Sequence, residues 1–93
     1  MSYVQIDPII NIWISKNNLF LVKSYQDCEV RSVELVDKKG TRYQIWVEEP
    51  KNNNIKICAW DCKKRKIEII ANKSDLLEKL EKAFLTVKNW MQA

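Results

Sequence analysis

VELVDKKGTRYQIWV, residues 33–47, is the stretch that decides the fold of this chain. Apolar and polar residues alternate on both sides of its central DKKG, which is the period of a half-buried strand. Gly40 takes a positive φ without strain, and Asp37 favours the start of a turn. The stretch therefore predicts an antiparallel hairpin with strands over 30–36 and 41–48.

The second strand of this hairpin has two distinct faces. Because successive side chains of a strand point to opposite sides, Tyr43, Ile45 and Val47 share one face. Gln44 and Trp46 share the other face. We expect the first set to lie in the core.

Further strands are predicted on either side of the hairpin. The apolar stretches 19–25, 55–60 and 67–71 have strand-like composition, and Pro50 with Asn52, Asn53 and Asn54 marks a loop. The expected inward-facing residues of the 55–60 strand are Ile55, Ile57 and Ala59. Because the connections are too short for parallel crossovers, four or five strands must form an antiparallel meander.

A helix is predicted before the sheet, from Asp7 to about Asn17. The Asp7 carboxylate is expected to accept hydrogen bonds from amides of the first turn, and Pro8 suits the first helical position. Only a narrow polar stripe, Asn11 and Ser15, interrupts the isoleucine-rich surface. Most of this helix is therefore expected to be covered.

A longer amphipathic helix is predicted at the other end of the chain, capped by Asn72 or Ser74. Its apolar residues recur at spacings of three and four, with charged residues opposite, so we expect it to pack on one sheet face. These apolar residues are Leu76, Leu77, Leu80, Ala83, Phe84, Val87, Trp90 and Met91. The prediction is a single α+β domain over residues 1–93.

Composition favours a cytoplasmic protein. A chain of 93 residues with 46% apolar and 30% charged residues fits one folded domain. Residues 1–14 lack the basic start and cleavage site of a signal peptide, and no apolar run approaches the roughly 18 residues of a membrane span. Three cysteines, an odd number, predict free thiols rather than a disulfide framework.

The residue inventory argues against enzymatic activity and against a cofactor. The chain has no histidine, and its single glycine, Gly40, is already needed by the hairpin. Cys58 and Cys62 do not have the spacing of a redox pair, and with Cys28 they supply one sulfur too few for a tetrahedral zinc site, so no metal is expected. One catalytic alternative stays open, in which neighbouring cations lower the pKa of Cys62.

The most suggestive segment is basic. Residues 51–73 hold seven Lys or Arg against two acidic residues, and Trp46 and Trp60 are predicted to share the sheet face away from the core. Aromatic rings flanked by cations are typical of surfaces that bind single-stranded DNA or RNA. The candidate surface for nucleic acid or another partner comprises Arg42, Trp46, Lys56, Trp60, Lys63, Lys64, Arg65 and Lys66.

Two other interpretations remain. The lysine-rich hairpin is also typical of a solvated turn, and the first helix is able to cover both tryptophans if it packs on their face. Our leading prediction is a small non-enzymatic binding or adaptor protein that takes a protein partner or a second copy of itself. Tyr3, Trp13 and Trp90 are candidate contact residues for that role.

Three stretches carry a resemblance to a known group of proteins. Residues 30–36 (VRSVELV), 43–47 (YQIWV) and 59–61 (AWD) resemble small uncharacterised conserved proteins of cyanobacteria. The likeness covers most of the chain and contains no catalytic signature. It implies a small cytoplasmic protein and assigns no site.

Overall fold

The computed structural model describes residues 3–22 and 30–92. Its five strands form one antiparallel sheet in the order β1-β2-β3-β4-β5, which confirms the predicted α+β meander. The elements are a 3-10 helix, Tyr3–Gln5; α1, Asp7–Lys16; β1, Leu21–Val22; β2, Arg31–Val36; β3, Arg42–Val47; β4, Ile55–Trp60; β5, Lys66–Ala71; and α2, Leu76–Gln92.

The hairpin between β2 and β3 forms as its sequence predicts. Gly40 has a φ of 85°, a conformation that costs glycine no steric strain. The Asp37 carboxylate Oδ1 accepts the backbone N–H groups of Lys39 at 2.8 Å and Thr41 at 2.9 Å. These bonds close the turn and set Leu35 opposite Tyr43.

The core lies between one face of the sheet and the two helices. Both predicted inward sets are buried there: Tyr43, Ile45, Val47, Ile55, Ile57 and Ala59. Helix α2 contributes the buried residues Leu76, Leu80, Ala83 and Val87, and it contacts β3, β4 and β5. The amphipathic pattern therefore predicted the covering helix and its buried side correctly.

The start of α1 differs from its prediction. Ile6 precedes the helix, and no side chain caps its first turn. The Asp7 carboxylate instead accepts Nε–H and Nη2–H of Arg31, at 2.9 and 3.1 Å, and so ties the helix to β2. The predicted capping role of Asp7 is wrong because the strand guanidinium offers its carboxylate two charge-assisted bonds.

Helix α1 packs on the core side and is less covered than expected. Ile10 and Trp13 are buried, and the Trp13 ring meets the Phe84 ring of α2 edge to face at 6.4 Å. Ile12 is 55% exposed, so the prediction that most of the helix is covered is wrong. The Tyr3 hydroxyl donates to the Val47 carbonyl at 2.7 Å and anchors the segment before α1.

Two boundaries complete the comparison. The predicted strand 19–25 is represented by β1, Leu21–Val22, and its last part, 23–25, lies outside the described residues. Before α2, Asn72 and Asp75 bond reciprocally: the Asn72 N–H donates to Asp75 Oδ1 at 2.8 Å, and the Asp75 N–H donates to Asn72 Oδ1 at 3.0 Å. Asn72 is therefore the residue that organises the start of this helix.

Candidate binding site

The sheet face that points away from the core carries the predicted site. No helix of residues 3–22 or 30–92 packs on it, and we call it the open face. By strand alternation and register its members are Ser32, Glu34, Val36, Arg42, Gln44, Trp46, Lys56, Cys58, Trp60, Lys66, Glu68 and Ile70. The alternative in which α1 covers both tryptophans does not apply, since Ile10 and Trp13 of α1 lie in the core.

Trp46 is a half-buried residue in the middle of the open face. Its Nε1–H donates to Glu48 Oε2 at 3.4 Å, and the Lys66 ammonium lies 5.6 Å from its ring centre. Trp46 pairs with Ser32 on one side and Cys58 on the other, and both are buried although they face outward. Trp46 therefore lies between two small buried residues in the register of the sheet.

Trp60 occupies a different position, at the last residue of β4. It pairs with Gln44 of β3 and with Lys66 of β5, and it is half-buried. The turn that follows begins at the next residue, Asp61. Trp60 therefore lies where the open face meets a hairpin tip.

Two hairpin tips lie at this end of the sheet, because β2 and β4 run in the same direction in an antiparallel meander. The first tip is 37–41 and the second is 61–65. Asp61 organises the second tip as Asp37 does the first: its Oδ1 accepts the Lys63 N–H at 2.8 Å and the Arg65 N–H at 3.0 Å. Both turns are thus closed by an aspartate and leave their lysines outside.

The lysines of the two tips give this end a concentrated positive charge. Four lysines, two from each tip, are exposed, and none of them forms an ion pair in the described part of the chain. Together with the neighbouring cations of β3 and β5 they form what we call the basic end. It comprises Lys38, Lys39, Arg42, Lys63, Lys64 and Lys66.

Sequence reasoning missed Lys38 and Lys39 as part of the site. Both lysines lie in the first tip, which is outside the basic segment 51–73 of the sequence. The signal was present in the topology, since alternate hairpins of a meander lie at the same end of the sheet. Both turns also begin with aspartate followed within two residues by lysine, at Asp37 and Asp61.

Two of the predicted site residues lie apart from the basic end. Lys56 is near the start of β4, about 13 Å along the strand from Trp60, and lines a shallow depression with Glu48 and Glu49. Arg65 turns to the helix side, where its guanidinium lies 5.1 Å from the Trp90 ring centre. The six remaining predicted residues stay on the open face or at its tip.

The middle of the open face is close to charge balance. Arg42 Nε lies 3.5 Å from Glu34 Oε1, and Lys66 Nζ lies 3.9 Å from Glu68 Oε1. These pairs are largely exposed, so each contributes little to stability. With Arg42 and Lys66 paired, the cations of the basic end that are unpaired within the described residues are the four lysines of the two tips.

The surroundings of the two described thiols, Cys58 and Cys62, raise their pKa values. Burial, followed by the nearby Glu48 carboxylate, raises the pKa of Cys58 to about 11. Burial, followed by Glu34, also raises the pKa of Cys62. The alternative in which Lys63, Lys64 or Arg65 lowers the pKa of Cys62 is wrong, because burial and the carboxylates of Glu34 and Asp61 raise it. Cys28 lies outside the described residues.

The described ranges also bear on a metal site and on a membrane-spanning helix. Within them, no group of three or more His, Cys, Asp or Glu side chains is arranged to hold a metal ion. No helix within the same ranges has both the length and the apolar character needed to span a membrane. Comparison of the chain with protein-family models, with curated proteins and with solved structures found no match.

Proposed function

We propose that this protein is a non-enzymatic binding module whose ligand is single-stranded DNA or RNA. The observation that carries the proposal is the meeting of Trp60 with the basic end. An indole ring stacks on any nucleobase, while ammonium groups neutralise the phosphates on either side. The free thiols Cys58 and Cys62 suit a cytoplasmic place of action.

The different surroundings of the two tryptophans support different proposed roles. Trp60 adjoins the second tip and pairs with Lys66, so a base stacked on it has cations within reach. Trp46 already contacts Glu48 and Lys66, and it pairs with Cys58. We therefore assign base stacking to Trp60 and a supporting role to Trp46.

The test is a fluorescence-anisotropy titration of labelled mixed-sequence oligonucleotides of about 15 nucleotides, performed at about 50 and 200 mM salt. Trp60→Ala is expected to weaken binding by about 5- to 150-fold, corresponding to a stacking contribution of about 1–3 kcal/mol. Circular dichroism checks that the variant is folded. The affinity of the unaltered protein is expected to fall steeply with salt.

A charge-matched pair of double variants tests the tips. Replacing Lys63 and Lys64 with glutamine is expected to lower the salt slope by about 0.7 for each phosphate that the variant no longer neutralises. The control replaces Lys51 and Lys73, exposed lysines outside the basic end, and so removes the same charge. Equal losses of affinity in both double variants, or binding that does not respond to salt, would refute the proposal.

The second candidate ligand is a protein partner or a second copy of the chain. It is favoured by the edge of β5 that is free in the described part of the chain, where backbone N–H and C=O groups point away from the sheet. The Asp61 N–H donates to the Arg65 carbonyl at 3.0 Å, which makes these two residues a bonded pair. Because bonded and non-bonded pairs alternate in an antiparallel ladder, the N–H and C=O groups of Lys66, Glu68 and Ile70 point away from β4.

A second hydrogen bond independently gives the same alternation of bonded and non-bonded pairs. The Glu48 N–H donates to the Lys56 carbonyl at 2.9 Å, so even-numbered residues of β4 bond to β3 and odd-numbered ones to β5. In the described part of the chain no strand lies beyond β5. Ile70, on this edge, is 54% exposed, so the edge offers backbone bonds together with an apolar contact.

Light scattering across a range of protein concentrations tests self-association through β5. We expect the measured mass to rise with concentration, and Ile70→Lys to restore the monomer because the ammonium must be desolvated at the paired edge. A constant monomer mass would rule out the second copy and leave only a different protein as this candidate's partner. The oligonucleotide titration is independent of that result.

A further inference from the structure

A cavity of about 490 Å³ lies on the helix side of the first tip, between that tip and the last turns of α2. Its volume falls within the range of small-molecule pockets. Val36, at the end of β2, belongs both to the open face and to this lining, and Trp46 and Trp60 do not line the cavity. Its lining includes Val36, Lys38, Lys39, Lys88, Met91 and Gln92.

The cavity combines an apolar surface with three ammonium groups. Val36 is 54% exposed, and the half-buried Met91 lies across from it on α2. Lys88 Nζ lies 5.4 Å from the Phe84 ring centre, which holds this ammonium group near the helix. A ligand that fits both surfaces must itself have an apolar part and an anionic part.

The charge of the lining indicates which anion fits. Asp37 is the single acidic residue among the lining residues, and its carboxylate accepts bonds inside its own turn, from two backbone N–H groups and the Tyr43 hydroxyl. Three ammonium groups against one carboxylate leave a net charge of +2. A phosphate monoester carries a charge of up to about −2 at neutral pH, whereas a carboxylate carries only −1.

We propose that this cavity binds a phosphate monoester joined to a planar apolar group, which is the chemistry of a nucleoside monophosphate. The phosphate contacts the ammonium groups of Lys38, Lys39 and Lys88, and the base packs against Val36 and Met91, where the thioether favours an aromatic ring. Two sources share this chemistry: a free nucleotide and the phosphorylated end of a strand. Only the second rests on the proposed nucleic-acid function.

The sequence offers a site-specific probe for this cavity. The chain has two methionines, Met1 and Met91, so protein with ¹³C-labelled methionine methyl groups gives two signals, and Met91→Leu assigns them. Adenosine monophosphate is expected to shift the Met91 signal saturably below about 10 mM. Inorganic phosphate and adenosine, each supplying half of the ligand, are expected to shift it less.

Charge removal separates the cavity from the rest of the surface. Lys88→Gln is expected to weaken adenosine monophosphate binding by at least about threefold. Lys82→Gln removes an exposed ammonium of the same helix outside the cavity and is expected to have no effect. Equal effects of the two substitutions would overturn the assignment of the phosphate to this cavity.

Oligonucleotides with a 5′-phosphate or a 5′-hydroxyl distinguish the two sources. A Met91 shift with adenosine monophosphate supports the free nucleotide, and a shift only with the 5′-phosphorylated strand supports the strand end. Equal shifts with both oligonucleotides, or no saturable shift with any probe, would overturn the inference. Trp60 does not line the cavity, so the outcome of the Trp60→Ala titration is distinguishable from the Met91 result.

Discussion

Replacing Trp13 with phenylalanine is expected to leave the free energy of unfolding within about 1 kcal/mol of its original value, although Trp13 is only 1% exposed. The reason is the indole N–H. Among the described residues, Trp13 Nε1 is the buried side-chain nitrogen or oxygen that lacks a hydrogen-bond partner. Trp13 therefore carries a cost that phenylalanine does not.

The magnitudes of the two effects nearly cancel. The smaller ring leaves roughly 40 Å³ unfilled, which at about 24 cal/mol per Å³ costs about 1 kcal/mol, with a comparable transfer term. Removing the unpaired buried donor recovers about 1–3 kcal/mol. The edge-to-face contact with Phe84 is available to phenylalanine as well. Trp13→Ala keeps none of these interactions and is expected to cost about 3–5 kcal/mol.

Urea unfolding followed by circular dichroism measures both variants without relying on tryptophan emission. The expected pattern is a near-normal midpoint for Trp13→Phe and a strongly lowered midpoint for Trp13→Ala, with equal slopes. If Trp13→Phe loses about 3 kcal/mol or more, the indole N–H is satisfied in solution and the reasoning fails.

Two further predictions concern the thiols and acid. In a Cys28→Ser variant at about pH 8, a thiol reagent is expected to modify Cys62 before Cys58. Cys58 reacts more slowly because it is buried and because its pKa of about 11 leaves little thiolate. Equal rates of modification in the folded protein would contradict this expectation. Burial raises the pKa of Asp61, but hydrogen bonds from Arg65 and Lys63 outweigh it and hold that pKa below its ordinary 3.8. The ionised Asp61 carboxylate therefore stabilises the fold fully above pH 3.8, and this stabilisation is lost as the pH falls below 3.8. In Asp61→Asn the urea midpoint is expected to decrease less between about pH 6 and pH 3 than in the unaltered protein. An equal decrease in both proteins would exclude a stabilising role of the Asp61 carboxylate.

The elements that sequence predicted well are those whose signals are local. The hairpin over 33–47 and the inward set of β4 follow from period two, and α2 follows from spacings of three and four. In each case a single buried face fixes the pattern, since a one-residue shift would expose every apolar side chain. Such patterns carry the fold without any knowledge of distant partners.

The features that sequence did not predict depend on distant partners. Asp7 pairs with Arg31 of a later strand, which no pattern within α1 indicates. Arg65 lies in a turn, where strand alternation no longer sets the direction of a side chain, and its partner Trp90 is near the end of the chain. The first tip of the candidate site was also not predicted, because Lys38 is brought to the basic end only by the topology of the sheet.

The aspartate-closed turns have a consequence for how this molecule can be altered. In each tip the carboxylate of Asp37 or Asp61 accepts the backbone N–H groups that close the turn, while the lysine side chains beside it form no ion pair in the described part of the chain. The residues that close the turns and the residues that we propose for binding are thus different positions. Exchanging the four tip lysines for other side chains is expected to leave the architecture intact, which makes the two tips a suitable starting point for engineering a new binding surface.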